Sequence, residues 1–153
     1  MSREEGALEQ RMKADSLAAL KRGDKRLVGA LRLYVAALKR ERIDSCAEAT
    51  EESELAVLSR ERKRREDSFE TYQAAGREDL ADQERFELEA LEQYMPAALG
   101  DDELASLIDE TIAAVGASSP REMGAVMKQL MPQVAGRADG RRVSDAVRAR
   151  LSG

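Results

Sequence analysis

The sequence predicts an all-α protein, with an N-terminal four-helix bundle-like lobe followed by a smaller three-helix C-terminal lobe. Three observations carry this. Apolar residues recur at intervals of three and four almost throughout, strand-like alternation is absent, and the 3 prolines of the 153-residue chain all lie at or beyond Pro96. Ala, Leu, Glu and Arg dominate, with 36% charged and 3% aromatic residues, which is the balance of amphipathic helices with solvated outer faces. The length suffices to bury a real core. Met95-Pro96 marks the boundary, so residues 1–96 and 97–153 are read as the two domains.

The first helix is expected from about Arg3 to Arg22, with Leu8, Met12, Ala19 and Leu20 inward, and Gly23-Asp24 ends it and caps the next. The second, about Lys25 to Ile43, buries Leu27, Leu31, Tyr34, Val35 and Leu38, and its tail Lys39-Arg40-Glu41-Arg42 is read as solvated. Asp44 to Thr50 is a polar connector, and Thr50 caps a long third helix reaching Ala75. The inward positions of that helix are Leu55, Leu58, Arg62, Arg65, Phe69 and Tyr72, so two arginines stand in its seam. Gly76 ends it. The fourth helix, about Glu78 to Met95, sets Leu80, Glu84, Glu87, Leu88, Leu91 and Met95 along one side.

An antiparallel hairpin about Gly76 brings Tyr72 to Leu80 and Arg65 to Glu87. The simplest account is a semi-buried ion pair of Arg65 with Glu87 or Glu84 that holds register at some desolvation cost. A paired-carboxylate acid/base site at Glu84 and Glu87 is the sharper alternative, against which a nearby arginine would neutralise the poised carboxyl.

In the second lobe, Asp101-Asp102-Glu103 cap the fifth helix and charge its first turn, Leu104, Leu107, Ile108, Ile112 and Val115 form its apolar side, and Gly116 closes it. Ser119-Pro120 reads as N-cap and first-turn proline of the sixth helix. Met123, Val126, Met127 and Leu130 face inward there as core filler, and Gly124 permits close approach of a neighbour. The seventh helix begins near Asp139 and packs Val143, Ala146, Val147 and Leu151.

Several chemistries are excluded by composition. The chain has no histidine, which removes Ser-His-Asp and Cys-His nucleophilic machinery and every histidine-ligated metal site. Its acidic residues lie at helix-surface spacings without the glycine turn of a calcium loop, so no metal and no cofactor are expected. Cys46 is alone and has no partner for an internal disulfide. No apolar run approaches the roughly 20 residues that span a bilayer, and Met1 to Gly6 lack the apolar segment of a signal peptide, so a cytoplasmic protein without membrane association is expected.

The net charge of −5 hides an asymmetry: residues 1–75 hold 16 basic and 15 acidic side chains, 76–110 hold 2 and 12, and 121–153 hold 7 and 3. An acidic total therefore leaves room for a polyanion partner at the basic end. The segment Gly136-Arg137-Ala138-Asp139-Gly140-Arg141-Arg142 sets arginines at the start of the last helix, where the dipole disfavours them unless something negative arrives. One reading is an ordinary start, with Asp139 as N-cap, Gly136 and Gly140 in a turn and the arginines solvated. The other is a phosphate contact, with Lys128, Arg137, Arg141, Arg142 and Arg148 forming a basic patch. Residues 97–153 contain no aromatic, so shape and backbone recognition of a folded RNA fits that patch better than base stacking.

The runs Lys63-Arg64-Arg65-Glu66-Asp67-Ser68-Phe69, Ala75-Gly76-Arg77-Glu78-Asp79-Leu80, Tyr94-Met95-Pro96, Met123-Gly124-Ala125-Val126-Met127 and Gly136-Arg137-Ala138-Asp139-Gly140 resemble the YqeY family over nearly the whole chain and in the family's order. Arg62 departs from the resemblance, standing where the family pattern has an aliphatic residue. The resemblance implies a small bacterial cytosolic protein whose C-terminal domain is similar to the tail domain of the B subunit of glutamine-dependent aspartyl/glutamyl-tRNA amidotransferase. That tail is implied to touch the tRNA body, and related modules accompany a glutaminyl-tRNA synthetase. The matching tail motif is Gly124 with Val126-Met127-Lys128, and Gly136-Arg137 through Arg142, which favours the phosphate reading.

The activity class attached to the resemblance is a carbon-nitrogen ligase with glutamine as amido donor. The glutaminase and the catalytic domain of the B subunit have no counterpart in the chain, so transferring that activity would be fold-level analogy. The expectation is a noncatalytic tRNA-binding accessory protein with no catalytic residue. Alternatives are a component of a tRNA amidotransferase complex, and a helical adaptor that docks an aminoacyl-tRNA synthetase or other translation enzyme through helices three and four.

Overall fold

A computed structural model describes residues 4–153. Among these, seven α-helices and one 3-10 turn account for the regular structure, and no strand is present: α1 Ala7–Arg22, α2 Lys25–Asp44, α3 Glu51–Ala74, α4 Glu78–Glu92, α5 Asp101–Val115, a 3-10 turn Pro120–Glu122, α6 Met123–Val134 and α7 Gly140–Ser152. The chain divides into two compact units, one of residues up to Met95 and the other Pro96–Gly153.

In the N-terminal unit, α1 and α2 form one helical hairpin and α3 and α4 a second, with α2 against both α3 and α4. Met12, Leu31, Tyr34, Leu38, Val57, Leu58, Leu91 and Tyr94 form the buried core. Helix α1 starts at Ala7; the expected start at Arg3 lies outside the described residues. Its N-cap is Gly6, and the missing side-chain cap comes from another helix. The Glu54 carboxylate on α3 accepts the backbone N–H groups of Leu8 at 3.1 Å and Glu9 at 2.9 Å. A Cβ on Gly6 would lie 2.3 Å from that carboxylate, so glycine is what lets Glu54 reach the helix end.

Three expectations for this unit are corrected. Leu20 is half-exposed; the inward face of α1 is made of Glu9, Met12, Ser16 and Ala19. Arg42, expected in a solvated tail, is buried, its Nε and Nη2 donating to Glu9 at 3.0 and 3.1 Å. The α4 helix ends at Glu92, and the following turn buries Tyr94, whose hydroxyl donates to Asp15 on α1. In the seam of α3, Arg62 and Tyr72 are half-buried, while Arg65 is buried with its guanidinium 4.5 Å from the ring centre of Tyr34. Arginines likewise cover Phe86 (Arg26, 4.2 Å), Tyr94 (Arg11, 4.7 Å) and Phe69 (Arg85, 5.1 Å). Each such contact contributes roughly 0.5–2 kcal/mol, more when water is excluded.

Between α3 and α4, Gly76 takes φ 73°, which a side chain would strain, and lets the Arg77 N–H reach back to the Tyr72 carbonyl at 2.8 Å. At the start of α3, Thr50 and Ser53 form a reciprocal capping box.

The C-terminal unit has an apolar core of Leu99, Leu104, Ile108, Val126, Leu130, Val134, Ala138, Val143, Val147 and Leu151. The cap of α5 is Gly100 without a side-chain hydrogen bond, so Asp101, Asp102 and Glu103 occupy the first turn and do not cap it. Before α6, the Glu122 carboxylate accepts the N–H groups of Ser118 and Ser119, at 2.5 and 3.0 Å, through the 3-10 turn that starts at Pro120.

Glu54→Ala removes the side chain that accepts the Leu8 and Glu9 N–H groups of α1. A loss of about 0.5–2 kcal/mol is expected from thermal unfolding, with faster amide exchange at Leu8 and Glu9, and only part of it is restored in Glu54→Gln, whose single amide oxygen accepts one N–H while its NH2 faces the other.

Candidate functional site

The closing loop is built by the end of α6. Val126, Leu130 and Val134 bury one side of that helix, and Gly136 at φ 73° then turns the chain so that the N–H groups of Arg137 and Ala138 return to the Val134 carbonyl at 2.9 and 3.2 Å. Ala138 enters the core. Asp139 caps α7 by accepting the Arg141 N–H at 3.2 Å, which is the ordinary helix start of the first reading above.

Two arginines of the loop act on the segment that leads into α5. Arg137 donates from Nε to the Ala97 carbonyl at 3.0 Å and from Nη2 to Glu103 at 3.1 Å, while its own carbonyl accepts the Leu99 N–H at 2.8 Å. Arg142 donates from Nη1 to the Leu99 carbonyl at 3.0 Å and from Nη2 to Asp101 at 2.5 Å. Leu99 is a core residue, so this pair of clamps fixes the backbone on both sides of a buried side chain. The electrostatics close as well. The first turn of α5 carries Asp101 and Glu103, favourable at a positive helix end, and these carboxylates meet the arginines that the start of α7 disfavours. Much of the negative partner expected at the loop is internal.

The remaining candidates separate accordingly. Arg148 pairs with Asp145 one turn earlier at 3.3 Å, both well exposed, which holds it weakly. Arg150 pairs with Asp109 through two short hydrogen bonds. Lys128 on α6 and Arg141 at the first turn of α7 are exposed and make no ion pair among the described residues. Arg121, which the sequence patch omitted, is likewise exposed and makes no ion pair among the described residues. Gly124 is exposed, and a Cβ there would meet nothing within 4 Å, so its expected role of admitting a neighbour is not served inside the chain; Gly140 also faces open space. Sequence reasoning missed Asp101, Glu103 and Asp109 as arginine partners, because they sit 34 to 41 residues away and no local spacing pairs them.

In the N-terminal unit, Arg65 binds Glu61 of its own helix at 2.5 Å and approaches Glu87 to 4.0 Å, its Nε without a hydrogen-bond partner. The Tyr34 hydroxyl donates to the Glu87 carbonyl at 2.6 Å. Glu84 is half-buried and forms no ion pair among the described residues. Burial raises the proton affinity of the Glu87 carboxyl above the ordinary glutamate range, opposed by Arg65. Only 8% of its side chain is exposed, whereas Glu84 is half-buried.

Among the described residues, no group of three or more His, Cys, Asp or Glu is placed to hold a metal ion, and no helix is long and apolar enough to cross a membrane. Compared with known proteins, residues 9–151 match the family described as Yqey-like protein. No curated protein matches the chain.

Two measurements check these assignments. Arg142→Ala should lower stability by about 1 kcal/mol, a charged hydrogen bond discounted for partial exposure, and speed amide exchange at Leu99 without altering the N-terminal unit. For Glu87, the folded form binds its proton more tightly than the unfolded chain, so the wild type loses stability as pH rises through the folded pKa and bears no such loss below the unfolded value. Urea midpoints of Glu87→Gln should therefore gain on wild type as pH rises above the ordinary glutamate value of about 4.3; a pH-independent difference would remove burial as the cause.

Proposed function

The chain belongs to the Yqey-like protein family, and from that membership and the exposed cations of its C-terminal unit we propose that it is a noncatalytic accessory protein that binds tRNA through the phosphate backbone. The observation that carries this is the split among the loop's basic residues. Arg137 and Arg142 are neutralised by α5 and hold the loop in shape, whereas Lys128 and Arg141 keep their charge for an outside partner, with Arg148 releasable from a weak exposed pair. Folded RNA suits such a surface, because phosphates are bound by positioned point charges and the unit offers no ring for stacking a base. Resemblance to the amidotransferase B-subunit tail supports the same partner. The buried position of Glu87 and the absence of histidine speak for binding without chemistry. Any amide transfer would then be done by other subunits of a complex.

Titrating the full chain with tRNA at ~50 and ~200 mM salt tests this. Three phosphate contacts predict a roughly 40-fold loss of affinity over that range, and Lys128→Ala with Arg141→Ala should reduce the slope of log K against log salt by about two. Arg137→Ala is unsuitable as the probe, since it also releases Ala97 and Glu103. Failure of the wild type to bind at low salt sinks the proposal.

A further inference from the structure

The outer face of the α1–α2 hairpin carries features that the tRNA reading leaves unused. The half-exposed or more exposed large apolar side chains among the described residues are Leu17 (60%), Leu20 (50%), Leu33 (49%) and Ile43 (56%), and all four lie on this hairpin. Scattered apolar residues need no explanation, but their concentration on two adjacent helices does. On α2, Gly29, Leu33 and Ala36 follow one another at intervals of four and three, and the same exposed row continues through Arg40 to Ile43. Leu17 and Leu20, one turn apart on α1, lie at about the same distance from the Gly23-Asp24 turn as the Gly29 end of that stripe.

Gly29 adds an independent sign. It sits inside α2, where glycine is unfavourable relative to alanine, its φ is not positive, and a Cβ there would meet nothing within 4 Å. Nothing inside the chain requires its small size.

Charge identifies what would use the stripe. Lys25, Arg32 and Lys39 follow at intervals of seven along its edge, about 10 Å apart at the rise of an α-helix. With Lys21, Arg22 and Arg40 they are exposed and make no ion pair among the described residues. The acids nearby are committed or at the ends: Asp24 caps α2, Glu41 pairs with Arg60, and Asp44 ends the helix.

We infer that the α1–α2 face is a docking surface for an acidic amphipathic helix of another protein, with its apolar side on Leu17, Leu33 and Ile43, its closest approach at Gly29 and its carboxylates on Lys25, Arg32 and Lys39. A second copy of this chain is disfavoured, because it would bring one cation row against another. Phosphate of RNA satisfies the row but has no use for four aliphatic side chains. An anionic bilayer satisfies both in kind, yet the face presents no aromatic and its leucines rise only half clear of the helices, which gives little to insert. An acidic helix uses the cations, the apolar stripe and the glycine together.

The test places the photo-crosslinker p-benzoylphenylalanine at position 33 of the full chain, in cells that naturally express it, and maps the adduct by mass spectrometry. The expected adduct is a protein segment with apolar residues at intervals of three and four and Asp or Glu beside them. Lys25→Glu with Arg32→Glu should abolish it while leaving the circular dichroism unchanged. A synthetic peptide of the mapped segment should lose affinity by about tenfold or more on Arg32→Glu. Gly29→Trp should weaken it too, whereas Gly29→Ala should raise Tm. Adducts to RNA, lipid, a non-acidic segment or a second copy of the chain, an adduct indifferent to charge reversal, or none at all, each overturn the inference. An RNA adduct would also place the RNA contact on the N-terminal unit, whereas the other outcomes leave untouched the salt slope that Lys128→Ala with Arg141→Ala reads in the C-terminal unit.

Discussion

Arg65 lying on the ring of Tyr34, with Glu61 and Glu87 beside it, is the contact around which the N-terminal unit is organised. In a chain with 3% aromatic and 36% charged residues, one buried guanidinium, that of Arg65, joins the core over the Tyr34 ring, while the exposed Arg11, Arg26 and Arg85 cover three more rings from outside. The cost is desolvation of charge, which pairing offsets without adding much net stability. What such pairing supplies is register. Tyr34 on α2 is tied to the α4 backbone through the Glu87 carbonyl, Arg65 sets α3 against both, and Arg42 and Glu54 do the same for α1 through Glu9 and its N–H group. A helix sliding by one turn would leave buried charges unpaired, a larger penalty than the pairs themselves repay.

The C-terminal unit solves its packing differently. Its core is apolar apart from Thr111, whose hydroxyl donates to the Leu107 carbonyl of its own helix, and its arginines work at the edge, joining segments far apart in sequence: Arg137 and Arg142 to the lead-in of α5, Arg150 to Asp109. This division bears on function, because a cation already neutralised by the fold contributes shape and little field. Counting basic residues along the last third overstates the charge offered to a partner, and the surface left over is smaller and is set by Arg121, Lys128, Arg141 and the weakly held Arg148.

Legibility from sequence followed the range of the interaction. Helix ends written in local chemistry, such as the Thr50 cap, the Gly76 and Gly116 stops and Asp139 before α7, were readable because capping depends on residues within one turn, whereas Ser119-Pro120 opens a 3-10 turn and α6 itself begins at Met123. The burial of Glu9, Arg42 and Glu54 was not readable. Each is polar, and only its partner on another helix makes its burial tolerable. Leu20 failed for the converse reason: it falls near the edge of an apolar stripe whose width depends on where α2 packs.

By itself the sequence determined the all-α class, the succession of seven helices and membership in the Yqey-like family, since periodicity, caps and motif order are properties of neighbouring residues. Tertiary structure alone decided which charges are spent inside the fold. Whether an arginine is a clamp or an open contact depends on a carboxylate 34 to 41 residues away in the C-terminal unit, as for Arg137 and Arg142, or on a ring from another helix, as for Arg65. Coulomb attraction and stacking act over a few ångströms of space and are blind to sequence distance.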